Sequence, residues 1–132
     1  MSVFDYEQCF SQQVLDDIFP SQRADRFFDA LFGDAKEGAY DIRLAYNRAT
    51  NDQIEFEFQL NQRPGRCLAC NLTHGLPEVF MRHPVIDLAG LVQSINARLT
   101  NGKHCDAWEL GRTQEVSPQR HVIPLRIGLA DA

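Results

Sequence analysis

The chain has 132 residues, 44% hydrophobic and 23% charged, which is enough for one globular domain with its own core and argues against a disordered or fibrous class. Formal net charge is −5, and of 13 basic residues only Lys36 and Lys103 are lysine, the arginines being spread along the chain, which disfavours nucleic-acid binding. No window approaches the ~18–20 apolar residues of a membrane helix, and MSVFDYEQCF places acidic residues ahead of any apolar run, the reverse of an export signal; the expectation is a soluble cytoplasmic protein with no membrane partner.

From the N-terminus, Ser11 is placed to cap a helix over SQQVLDDIF, with Val14, Leu15 and Ile18 on one side. Pro20 interrupts it. A second helix follows in SQRADRFFDALFG, where Ala24, Phe27, Phe28, Leu31 and Phe32 recur at helical spacing and Gly33 suits the C-terminal cap. Two strands come next. In AYDIRLAYN, Tyr40, Ile42, Leu44 and Tyr46 alternate with polar residues, and in QIEFEFQL, Ile54, Phe56, Phe58 and Leu60 do the same. The residues RATND between them predict a hairpin. Arg63-Pro64-Gly65-Arg66 reads as a type II turn leading into a third strand, CLACNLT.

A loop, HGLPEVFMRHP, then leads to a helix from about Asp87, with Leu88, Leu91, Val92, Ile95 and Leu99 on one side and Asn101-Gly102 at its end. Two further strands, Trp108 to Arg112 and His121 to Leu129, are joined across VSPQR, and Pro124 argues that the last of them lies at a sheet edge. The order ααβββαββ predicts one α+β domain over residues 1–132, with a mainly antiparallel five-stranded sheet and helices on a single face.

Four cysteines, at 9, 67, 70 and 105, invite a choice between metal, redox and packing roles. Cys67 and Cys70 with His74 and His104 supply the donor types of a tetrahedral zinc site. A Cys-x-x-Cys knuckle needs a tight turn, whereas the Leu68-Ala69 pair between these cysteines is strand-like, and residues three apart in a strand point to opposite faces. Packed strand cysteines without a cofactor are the favoured reading and zinc the alternative. A thioredoxin-like role lacks a helix starting at Cys67.

Arg63, Arg66, Arg82 and His83 form a candidate anion or ligand site, the last two just ahead of a helix N-terminus. Glu55 and Glu57 alternate with apolar neighbours and read as a solvated strand face rather than a pair of catalytic carboxyls. His121, at the start of the last strand, reads as a packed or surface residue rather than a catalyst, and no nucleotide-binding loop, nucleophile elbow or H-E-x-x-H motif is present.

The run GAYDIRL…FEFQLNQRPGRCLACNLTHGLPEVFMRHPVI, with the HVIPLRI strand, resembles a small uncharacterised bacterial family of single-domain chains, some of which carry a transferred "pancreas/duodenum homeobox" label. That label does not describe this chain, because a homeodomain is a basic three-helix unit. In architecture the element order is similar to type III secretion chaperones, which are small, acidic and dimeric and hold partner polypeptides on apolar patches. They usually end in a helix, whereas this chain reads as ending in a strand and LADA. The fold likeness makes a binding module credible, and the expectation is a domain without catalytic activity that takes a protein or small-molecule partner and forms a homo-oligomer, with the sheet edge and the Phe-rich N-terminal helices as contact surfaces.

Overall fold

In the computed structural model, residues 5–32, 40–65 and 76–131 are described. The two alternating runs form β1 (Tyr40–Ala49) and β2 (Gln53–Gln62), an antiparallel pair in which Leu44 lies opposite Phe58 and Ile42 opposite Leu60. Thr50 donates its N–H to the Gln53 carbonyl at 2.7 Å and closes the hairpin between them. The last strand, β5 (Arg120–Asp131), pairs antiparallel with β2, so that Ile123, Leu125 and Ile127 stand opposite Phe58, Phe56 and Ile54. On the other flank of β5 lie β3 (Lys103–Leu110) and β4 (Gln114–Ser117), which pair with its two ends. β3 and β4 therefore act as one edge strand broken at residues 111–113, and the antiparallel sheet is four positions wide.

The helices are α1 (Tyr6–Cys9), α2 (Gln12–Ile18), α3 (Gln22–Phe32), α4 (Leu76–Arg82) and α5 (Leu88–Ala97). Ser11 caps α2 by accepting the Val14 N–H, and Asp87, in the left-handed region at φ 49°, caps α5 by accepting from Gly90. Phe10, Leu15, Phe19, Phe27, Phe28, Phe80, Leu91 and Ile95 join the inward residues of β1, β2 and β5 in one hydrophobic cluster. Phenylalanine rings knit the layers together edge to face: Phe10 on Phe56, Phe19 on Phe58, and Phe80 on both Phe27 and Phe58. The α+β architecture and the antiparallel five-stranded sheet agree with the sequence reading.

Four local expectations need correction or qualification. Pro124 lies in the interior strand, not at an edge. Its carbonyl accepts the Gly111 N–H at 2.8 Å. A strand residue's N–H and C=O point to the same side, so the missing donor faces the break between β3 and β4, where no ladder bond is lost. The segment read as a loop holds α4, with Pro77 in its first turn, where the absent N–H is tolerated, and Phe80 buried. The edge strand begins at Lys103 rather than Trp108, and a bulge at Asp106 and Ala107 breaks the period-two pattern that would have disclosed it. The predicted strand at residues 67–73 lies outside the described residues, as does Gly33; Gly65, in the turn ahead of that segment, has the expected positive φ of 74°.

Both outer strands have their edge met by a helix. Leu44 and Cys105 are each in the phase whose backbone points away from the sheet interior. Gln12 of α2 donates Nε2 to the Leu44 carbonyl at 2.8 Å, and Asn96 of α5 accepts the Cys105 N–H on Oδ1 at 2.7 Å. Such caps blunt the edge-to-edge pairing that open strands invite.

Candidate functional site

Among the zinc candidates, Cys67, Cys70 and His74 lie outside the described residues, as does Arg66 of the anion candidates. His104 sits in β3 opposite Ala130. Burial pushes the neighbouring Cys105 thiol up to about 11, so it is protonated at neutral pH. Cys9 is also shifted upward by burial, against the opposing charge of Arg98, and its Sγ lies 3.4 Å from the Arg98 carbonyl. Among the described residues no three His, Cys, Asp or Glu side chains gather as a metal site would require.

The remaining anion candidates are occupied in holding the fold. Arg63 donates to Asp25 of α3 at 2.7 Å and Asp41 of β1 at 3.0 Å, with its guanidinium 5.3 Å above the Phe28 ring. His83 accepts the Val85 N–H on Nδ1 at 3.2 Å and packs edge to face on Phe27, while Arg82 is an exposed residue at the end of α4. None of the three lines either recess described next.

The larger recess, about 590 Å³, is a groove between β1 and the junction of α2 with α3. Pro20 ends α2, and Phe19 turns inward there to 1% exposure, so the two helices bend around an apolar floor of Phe19, Pro20 and Ile42. Asp16, Asp17 and Asp41 stand on its rim with Arg43. Arg43 grips Asp16 through two bonds, of 3.1 and 2.9 Å, and holds that carboxyl below the ordinary range for aspartate. Asp41 is engaged by Arg63, and Asp17 is exposed to solvent.

The second recess, about 260 Å³, opens on the sheet face turned away from the hydrophobic cluster. Strand register sets Arg48, Glu55, Arg126 and Glu109 side by side across β1, β2, β5 and β3, a row of alternating charge. Glu55, expected on a solvated face, is 5% exposed. Its Oε1 accepts Arg126 Nε at 3.1 Å, and its Oε2 accepts Asn47 Nδ2 and lies 3.5 Å from Arg48 Nε. Burying a carboxylate is costly unless its oxygens are paired, and these partners supply that pairing. Sequence reasoning missed both recesses because Asp17 and Asp41, or Glu55 and Arg126, meet only once helices and strands are packed; the only signal was that Arg126 falls out of phase with its apolar neighbours in HVIPLRI.

No protein-family model matches the chain, and no curated protein or solved structure matches it either. No described helix is long and apolar enough to cross a membrane. The two recesses present carboxylates beside an apolar floor in one, and guanidinium and carboxylate groups in the other.

Proposed function

We propose that the chain is a non-catalytic binding domain, chaperone-like in use, that holds a polypeptide segment in the groove between α2, α3 and β1. The observation that carries this reading is the combination in one groove of an apolar floor (Phe19, Pro20, Ile42) with the exposed carboxylate of Asp17 on the rim, beside Asp16 and Asp41, which are paired with Arg43 and Arg63. Its ≈ 590 Å³ falls within the ~300–1,000 Å³ typical of binding clefts. An apolar side chain of the partner displaces water from the floor, and a neighbouring arginine or lysine meets the rim. The net charge of −5 steers a basic partner in the same direction.

Fluorescence anisotropy with dye-labelled dodecapeptides tests the proposal. A Leu/Arg peptide is expected to bind, a Leu/Glu peptide to fail, and an Arg/Ser peptide to bind at least tenfold more weakly. Asp17→Lys, at an exposed position outside the core, should weaken the Leu/Arg peptide about tenfold, roughly 1.4 kcal/mol. Equal binding of all three peptides, or no binding of any, would overturn the reading.

A further inference from the structure

The recess on the open sheet face has the makings of a second binding site, independent of the groove. Glu55 is nearly buried beneath it and holds two arginines by their Nε atoms, Arg126 at 3.1 Å and Arg48 at 3.5 Å. Their side chains are 37% and 73% exposed, and among the described residues the terminal nitrogens of neither donate a hydrogen bond. A guanidinium anchored through Nε keeps its Nη donors for a second, planar acceptor. In the adjacent row across the strands, Ala45, Glu57 and Pro124 stand side by side, and the two short side chains in that row leave room for a recess above the sheet. Glu57 lines it from one side and Gln114 of β4 from the edge. Glu57 is half-buried, and among the described residues its carboxylate accepts one long hydrogen bond, from Gln59 at 3.5 Å.

The formal charges around the recess cancel: Arg48 and Arg126 are balanced by Glu55 and Glu57. A plain anion would meet Glu57, and a plain cation would meet the arginines, so neither gains from the whole lining. A zwitterion gains from both ends. We propose that this recess binds a small molecule carrying a carboxylate and an ammonium group, the chemistry of a free α-amino acid, with the carboxylate on the Nη atoms of Arg48 and Arg126 and the ammonium on Glu57. The volume of ≈ 260 Å³ lies just below the range of drug-sized pockets and suits a ligand of that size. Gln114, as both donor and acceptor, adds a neutral contact at the sheet edge.

The test is isothermal titration of the full chain with the twenty free amino acids, and with acetate and ethylammonium as single-charge probes. At least one amino acid is expected to bind at least tenfold more tightly than either probe. Glu57→Gln and Arg48→Gln, both at positions outside the core, should each weaken that amino acid tenfold or more while far-UV circular dichroism stays as in the parent. Binding by none of the twenty, equal binding of acetate, or binding unchanged in both variants would overturn the site. The peptide assay at the groove reads a different set of residues, so failure of one proposal leaves the other standing.

Discussion

Glu55 and Asp16 are both carboxylates paired with arginine, yet burial separates what the pairs contribute. Asp16 and Arg43 are 43% and 50% exposed, and such surface pairs contribute ~0–1 kcal/mol. Glu55 is 6% exposed as a side chain, and a buried acceptor stripped of a donor costs about 1–3 kcal/mol. Arg126→Met should therefore lower the unfolding free energy by about 1–3 kcal/mol, and Arg43→Met by less than ~1 kcal/mol, in urea titrations at pH 7. The smaller effect carries a pH signature. Arg43 depresses the Asp16 carboxyl, so the stabilisation is present above the ordinary aspartate range, about pH 4, and is lost as pH falls through the lowered value. The Arg43→Met variant and its parent should converge at low pH. Equal losses from the two arginines at pH 7 would contradict this account.

At the scale of elements, the sheet edges show how helices and strands depend on each other. The alternation was readable in β1 as far as Tyr46, ahead of the irregularity at Asn47, and in β2 from Ile54 to Leu60, because every second residue there is an apolar one turned to the core. β3 was hidden by its bulge, where Asp106 and Ala107 oppose Gly128; a Cβ on Gly128 would come within 3.3 Å of the Ala107 carbonyl, so the small residue accommodates the irregularity. α4 was hidden by the proline at its start and the short stretch between Gly75 and His83. The caps from Gln12 and Asn96 were not readable at all, since each joins residues from separate elements. Asn96→Ala should leave the fold intact with a stability change within about 1 kcal/mol. Amide hydrogen exchange at Cys105 should accelerate while the β2–β5 amides keep their protection. An unchanged rate at Cys105 would show that Asn96 does not guard that edge.

At the scale of the whole molecule, a single hydrophobic cluster takes in residues from α2, α3, α4, α5 and strands β1, β2 and β5, and Phe10 from the turn after α1. Trp108, the one tryptophan, packs against it from the edge strand. With one shared core the described elements should unfold together. Thermal melts followed by Trp108 fluorescence and by far-UV circular dichroism are expected to coincide; separated midpoints would mean that the edge strand and the helices unfold as different units. β5 is the hub of this arrangement, pairing with β2, β3 and β4, and its proline is tolerated only because the edge strand breaks opposite it.

Local periodicity was enough to place β1, β2, β5, the helical runs of α2, α3 and α5, and the cap at Ser11, because each of those signals lies within a few consecutive residues. The same reading placed chemistry on Arg63 and His83, whose side chains prove to be engaged in packing and ion pairs across elements. Which strand sits in the interior, how Glu55 comes to lie between Arg48 and Arg126, and how three aspartates come to rim an apolar groove all follow from strand order and helix docking. Those are pairings between residues as far apart in the chain as Glu55 and Arg126, and no periodicity within one segment specifies which distant segment it will meet.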